Sequence, residues 1–183
     1  MIKKINLKRS DSKDFECYIK LLDINNLEEI LLFQEDILKE IKDKKIYAVT
    51  SREEFEQYFL NKDTILGIYT DEKKLIAMGV YARYGCSEEN YGFDLGIKDK
   101  ELLTVGQIDS VAVSQAFRGN KLQKIICKEL ENICKEEGFK IICTTVSPSN
   151  TYSLKTFEEL RYKIIKEKLK YGGIRRYILM KTL

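Results

Sequence analysis

The chain has 183 residues, 44% of them hydrophobic, with one proline and a net charge of +3; it can bury one substantial core and offers no composition break for a linker, so a single domain over 1–183 is expected. It contains no histidine, which excludes Ser-His-Asp and Cys-His nucleophiles and histidine-ligated zinc or iron, and no metal site is expected. Five cysteines without CxxC or metal-ligand spacing, no apolar signal core in the opening residues and no apolar run near the roughly 18 residues of a membrane span point to a reduced, cytoplasmic protein without membrane contact.

In chain order, residues 2–8 alternate as a first strand. Asn26 with Glu29 has the form of a capping box, and Leu27, Ile30, Leu31, Ile37, Leu38 and Ile41 form a helical stripe, predicting a helix over 26–42. Ser51 with Glu54 repeats the cap signal before Phe55, Tyr58 and Phe59, predicting a helix over 52–61. Residues 64–70 and 74–84 read as strands joined at Asp71, Glu72 and Lys73 in a hairpin. Residues 85–103 have no clear period. A long irregular segment inside a domain is often functional, and Tyr91 with its neighbours is read either as the border of a pocket or as plain loop.

The segment IDSVAVSQAFRGNKLQKII, residues 108–126, is the most informative. Residues 108–113 alternate and are small or β-branched, as in a strand covered on both faces. From Leu122 the period changes: Leu122, Ile126, Leu130 and Ile133 form a stripe with Lys121, Lys124, Lys128 and Lys135 off it, predicting an amphipathic helix that stops near Gly138. Between strand and helix stand Arg118, Gly119 and Asn120. A helix N-terminus offers unpaired N–H donors and about half a positive charge, a place for a pyrophosphate, and Arg118 adds a planar fork of donors. A strand over 140–146, a helix over 150–162 and strands over 162–168 and 174–181 around Gly172 and Gly173 complete the chain. Cys127, Cys134 and Cys143 lie on or beside apolar stripes and read as packing.

Strand, Arg-Gly turn and helix in this order resemble the central motif of the GNAT superfamily of N-acetyltransferases, and NTYSLKTFEELRY, residues 150–162, resembles its second motif. The resemblance runs from about Thr64 to the C-terminus. It implies an α/β fold: a single GNAT-like domain with a mixed central sheet of about six to seven strands flanked by about four helices. It implies acetyl-CoA as acyl donor and transfer to a primary amine of a small molecule or peptide by direct attack in a ternary complex. By the same resemblance, the backbone of Val111, Ala112 and Val113 pairs with the pantetheine arm, while Arg118, Gly119, Asn120, Lys121, Leu122 and Gln123 hold the pyrophosphate. Asn150 then hydrogen-bonds the pantetheine and Ser153 flanks it, although an Asn after Pro148 and Ser149 also reads as a helix cap.

Several positions depart from the family pattern, among them Arg161 where the family usually has glycine, read as a tolerated surface change. Lys121 and Gln123 stand where the motif has small residues, and Phe157 stands where many members carry a tyrosine that protonates the departing thiolate. Gln107 aligns with a position that many family members fill with glutamate, and is read as a second catalytic residue, since a glutamine can orient water although it cannot accept the proton. Strand parity puts Gln107, Asp109, Val111 and Val113 on one face, and Asp109 is the chosen base, against the plainer reading of a structural carboxylate. Phe157 reads as core packing. The departures motivate the alternative of an acyl-CoA-binding regulatory module with little turnover.

Residues 114–183 carry 15 basic and 7 acidic side chains, a balance of +8, against −5 for residues 1–113. A basic part suits a phosphorylated donor and an acidic part an amine; the plainer reading is solvated helix faces. No nucleic-acid-binding signature accompanies the lysines, and none is expected as a partner. The acceptor is unidentified, and monomer and homodimer are both open.

Overall fold

In the computed structural model, which describes residues 2–8 and 14–183, the strands are β1 (Ile2–Lys8), β2 (Asp14–Leu21), β3 (Thr64–Thr70), β4 (Leu75–Ala82), β5 (Val105–Val113), β6 (Ile141–Val146), β7 (Lys163–Lys170) and β8 (Ile174–Thr182). They form one sheet in the order β1-β2-β3-β4-β5-β6-β8-β7. All neighbours are antiparallel except β5 and β6, which run parallel, as a crossover through a helix requires. The four α-helices among the described residues are α1 (Leu27–Glu40), α2 (Arg52–Leu60), α3 (Leu122–Glu136) and α4 (Thr151–Glu159).

The helices divide between the two faces according to their apolar stripes. Leu122, Ile126, Cys127, Leu130 and Cys134 of α3 and Phe157 of α4 pack with Ile68, Ile76, Ile108 and Ile142 on one face. Leu27, Ile30, Phe33 and Ile37 of α1 and Phe55 and Tyr58 of α2 pack with Ile65, Met78, Val80 and Ala112 on the other. Helix α3 lies directly on β4 at Gly79, where a Cβ would stand 2.3 Å from Ile126 Cγ2. This close approach fixes the height of the α3 N-terminus over the sheet. Among the described residues, no helix is long and apolar enough to cross a membrane.

The sheet has one strand more than the upper end of the expected six to seven. The addition is β2, whose Cys17 and Ile19 are buried. The Ser51–Glu54 capping box forms as read, with Ser51 N–H donating to Glu54 Oε2 at 2.6 Å and Glu54 N–H to Ser51 Oγ at 3.1 Å. The Asn26–Glu29 box does not. Instead Asp23 and Asn26 cap a short 3-10 turn one step earlier, Asn25 N–H donating to Asp23 Oδ1 at 2.9 Å and Asp23 N–H to Asn26 Oδ1 at 3.2 Å. Cys127, Cys134 and Cys143 are buried as expected, and burial pushes the thiols of Cys134 and Cys143 up to about 11 and about 12.

Residues 85–104 contain two short 3-10 turns, Phe93–Leu95 and Asp99–Thr104. Asn90 organises them from inside: its amide donates to the carbonyls of Gly85 at 2.6 Å and Leu102 at 3.1 Å, and its oxygen accepts from Gly92 N–H at 2.8 Å. A buried amide with these groups satisfied holds an aperiodic segment in one shape. Asp94 ties the segment to β7 through Lys168 and, at 2.7 Å, Lys170.

Candidate active site

Strand β5 contains one residue too many for its partner. Gly79 of β4 pairs with Val111 and Tyr81 with Ile108, so two steps on β4 face three on β5, a β-bulge at Asp109 and Ser110. The parallel pairing of β5 with β6 ends at the same place, at Ile108 and Thr144, although β5 runs on to Val113 and β6 to Val146. The strands part beyond that point, and the β6-facing backbone edge of 109–113 has no strand partner among the described residues. A narrow, half-open cleft of about 60 Å³ enters there.

The cleft passes between the two faces of the sheet. Val111, Gln123, Ser153 and Phe157 line it from the α3/α4 side; Tyr47, Ser110, Tyr171 and Arg176 line it from the other. The bulge also corrects the parity read from sequence. Val111 and Val113 pack in the α3 cluster, whereas Ala112 packs in the α1/α2 cluster. Gln107 and Asp109 belong with Ala112, because the extra residue reverses the alternation between 108 and 111.

Asp109 is the carboxylate of the cleft. Its Oδ2 accepts from the hydroxyls of Tyr58, at 2.5 Å, and Tyr84, and its Oδ1 accepts from Gln107 Nε2 at 3.2 Å. Burial, and then the neighbouring Asp109 charge, push the phenols of Tyr58 and Tyr84 well above their ordinary value, so both remain donors. Gln107 does not line the cleft. It is buried, accepts from Tyr91 N–H at 3.1 Å and donates to Asp109 Oδ1. Tyr91 does not line it either: it is buried behind Tyr171, the two hydroxyls hydrogen-bonded, with Thr145 Oγ1 3.1 Å from Tyr171 Oη.

On the α3 side, Phe117 leads into Arg118, Gly119 and Asn120. Arg118 is exposed, Gly119 has φ +87° with open space beside it, and Asn120 Nδ2 donates to Phe117 O at 3.1 Å. Lys121 takes the left-handed conformation, φ +58°, at the N-cap of α3 without a side-chain cap. The turn therefore keeps a glycine-like shape with lysine in it, at some cost in strain, and the first-turn N–H groups of α3 have no capping side chain. The side chain of Leu122 is buried in the core, so only its backbone is available there. Lys121, Lys124 and Lys155 surround Glu159: a hydrogen bond from Lys124, with the charges of Lys155 and Lys121 added, holds its carboxyl below the usual range. This is a local excess of positive charge beside the α3 N-terminus.

Asn150 and Ser153 meet Gln123 across the α3–α4 gap. Asn150 Oδ1 accepts from Ser153 N–H at 3.2 Å, so Asn150 both caps α4 and lines the cleft. Gln123 Nε2 donates to Ser153 Oγ at 2.9 Å, which leaves the serine proton for another acceptor. Phe157 is 2% exposed and meets Tyr162 edge-on at 4.9 Å, the packing role read from sequence. Tyr152 is 87% exposed and stands outside the cleft.

Sequence reasoning missed Tyr47, Tyr58, Tyr84, Tyr171 and Arg176. Tyr58 and Tyr84 fall within elements read from the sequence, but nothing in their periodicity marks a polar role, and Tyr47 and Tyr171 lie in turns. Arg176 does carry a positional signal: Ile174 and Ile178 flank it at strand spacing, so it is a charge at a core parity.

Residues 28–162 match the profile of the acetyltransferase (GNAT) family. No curated protein sequence matches the chain. Among solved structures, the GNAT domain of S. lividans PAT superposes with a TM-score of 0.71 at 15% identity, covering 98% of this chain and 97% of that one. The ribosomal-protein-S18-alanine N-acetyltransferase of Escherichia coli superposes at 0.68 and 12% identity, covering 91% and 93%. The yncA protein of Salmonella typhimurium, solved with its cofactor acetyl-CoA, superposes at 0.65 and 12% identity, covering 91% and 93%.

Proposed function

The chain belongs to the GNAT acetyltransferase family, whose members use acetyl-CoA, and from that premise we propose that it transfers the acetyl group to a primary amine of a small molecule or peptide by direct attack in a ternary complex. The observation that carries this reading is the parting of β5 and β6 after Ile108 and Thr144. It leaves an unpaired strand edge in line with an uncapped helix N-terminus, with a carboxylate at the fork.

The residues present fit the cofactor. The backbone edge of Val111 to Val113 suits an extended amide-bearing arm, Asn150 and Ser153 face it across the cleft, and the turn from Arg118 to Gln123 suits a pyrophosphate. Acetyl-CoA supplies a carbonyl already activated as a thioester, so much of the rate comes from holding the amine in place. An amine with a pKa near 10 arrives as ammonium. Asp109, fixed by Tyr58, Tyr84 and Gln107, receives that ammonium and takes its proton directly or through water. Ser153, whose oxygen is occupied by Gln123, directs its own proton into the cleft. A thiol of pKa about 8.5 is a tolerable leaving group, so no tyrosine at position 157 is required. The ribosomal-protein-alanine specificity of the E. coli neighbour makes an exposed peptide amine one acceptor class to test beside small amines.

The test is calorimetric titration with acetyl-CoA, CoA and ATP, followed by a thiol-release assay over a panel of amines. Micromolar binding of acetyl-CoA, weaker binding of ATP and amine-dependent release of CoA are expected. Saturable binding with no amine raising CoA release above hydrolysis would instead make the protein an acyl-CoA-binding regulatory module.

A further inference from the structure

Arg176 is a buried cation without a counter-ion. It is 3% exposed, on the face of the sheet opposite α3 and α4, and lines the same cleft as Asp109. Its Nη1 donates to Ile46 O at 3.3 Å and its guanidinium lies 5.4 Å from the centre of the Tyr171 ring. Among the described residues, Nε and Nη2 are buried with no hydrogen-bond partner and no carboxylate pairs with Arg176. An arginine cannot shed its charge as a buried lysine does, and a charge held away from water without a partner costs several kcal/mol. Burial accordingly pulls its pKa below the ordinary arginine value.

The two orphaned nitrogens are not an arbitrary pair. Nε and Nη2 form one edge of the guanidinium, the edge that grips both oxygens of a carboxylate. The same protein shows this use elsewhere: Arg83 Nε donates to Glu137 Oε2 at 2.8 Å and Arg83 Nη2 to Glu137 Oε1. In Arg176 that edge is unused.

We infer that the acceptor carries a carboxylate beside its amine, as an amino acid does, and that Arg176 receives this carboxylate while Asp109 receives the amine. The inference rests on the reading of the cleft as an acetyl-acceptor site. It gives the cleft one anionic and one cationic anchor, so specificity comes from charge at both ends of a small acceptor, and an amine lacking the carboxylate leaves the Arg176 edge unpaired.

The test separates this from transfer itself. Binding of a panel of N-acetyl-L-amino acids and of the corresponding N-acetyl amides is measured by calorimetry with CoA present, on the parent, Arg176→Met and Arg176→Lys. At least one acid is expected to bind about 10- to 100-fold more tightly than its amide, the range for hydrogen bonds to a charged partner. Arg176→Met should abolish that preference and Arg176→Lys, which keeps the charge without the fork, should lose most of it, both with CoA affinity unchanged. Equal binding of acid and amide by the parent overturns the inference, and that comparison needs no variant to fold. A preference that survives in Arg176→Met, or a loss of CoA affinity in its place, also overturns it. Amine turnover indifferent to the carboxylate refutes this inference and leaves acetyl transfer standing; acid-selective binding without CoA release overturns both transfer and the acceptor inference, and leaves Arg176 only a carboxylate-binding site.

Discussion

The proposed donor side and the proposed acceptor side of the cleft are assembled from different materials. The donor side is mostly backbone at the ends of two consecutive elements, β5 and α3, with Asn150 and Ser153 added from the start of α4. The acceptor side is mostly side chains: Tyr47 from the segment after α1, Tyr58 from α2, Tyr84 after β4, Asp109 from β5, and Tyr171 and Arg176 from the last hairpin. Backbone sites tolerate substitution, because any residue supplies an N–H. Lys121 in a left-handed N-cap is the clearest case. Side-chain sites are specific to the residue and to the fold that gathers them.

The sharpest way to separate the two sides is Asp109→Asn. Turnover is expected to fall by about 10²- to 10⁴-fold, the contribution of a positioned acid or base, with acetyl-CoA affinity nearly intact; a parallel loss of donor affinity would merge the two sides into one. Next in size, Arg118→Ala should weaken acetyl-CoA binding by about 1.5–3 kcal/mol and leave the acceptor KM alone. Unchanged affinity in calorimetry would remove the turn from the donor site.

Asp94→Asn tests how the acceptor side is braced. Burial opposes ionisation of Asp94, but hydrogen bonds from Lys168 and Lys170 outweigh it and hold the carboxyl below its ordinary value. A folded value below the unfolded one of about 3.9 means the stabilisation is complete above that pH and is lost as the pH falls through the folded value. The variant should therefore lose about 1–2 kcal/mol at neutral pH, discounted because Lys168 is half exposed, and should match the parent in strong acid. Urea melts at pH 7 and below pH 3 decide it; a constant gap would mean the ion pairs are not its source. Smallest of all, Lys121→Gly should raise stability by up to about 1 kcal/mol by relieving φ +58°. A lower midpoint would show that lysine carries no strain there.

The same contrast explains what could be read from the sequence. The elements of the proposed donor side were legible because strand, turn and helix follow one another, and periodicity reports each switch. So were seven of the eight strands and all four α-helices, with end errors of up to a few residues. Illegible was whatever depends on a partner strand or a distant loop. The bulge is a mismatch between β4 and β5, so nothing within 108–113 announces that Val111 turns to α3 while Asp109 turns away. Gln107 sits at the position read as catalytic, yet its amide is spent between Tyr91 N–H and Asp109. Arg176 was visible as a charge at a core parity, but its unpaired edge emerges only once Ile46 and Tyr171 close around it.

The extra residue in β5 ties these halves together mechanically. A bulge bends its strand, here away from β6, and it turns two successive polar side chains, Asp109 and Ser110, toward the same side, which a regular pleat forbids. One extra residue thus coincides with the parting of β5 from β6 and sets two polar side chains on the side proposed for the acceptor. Removing Ser110 would let β4, β5 and β6 zip into an unbroken ladder. On the reading proposed above, a better-paired sheet would lose both the open edge and the setting of Asp109, so transfer would rest on an irregularity in the ladder.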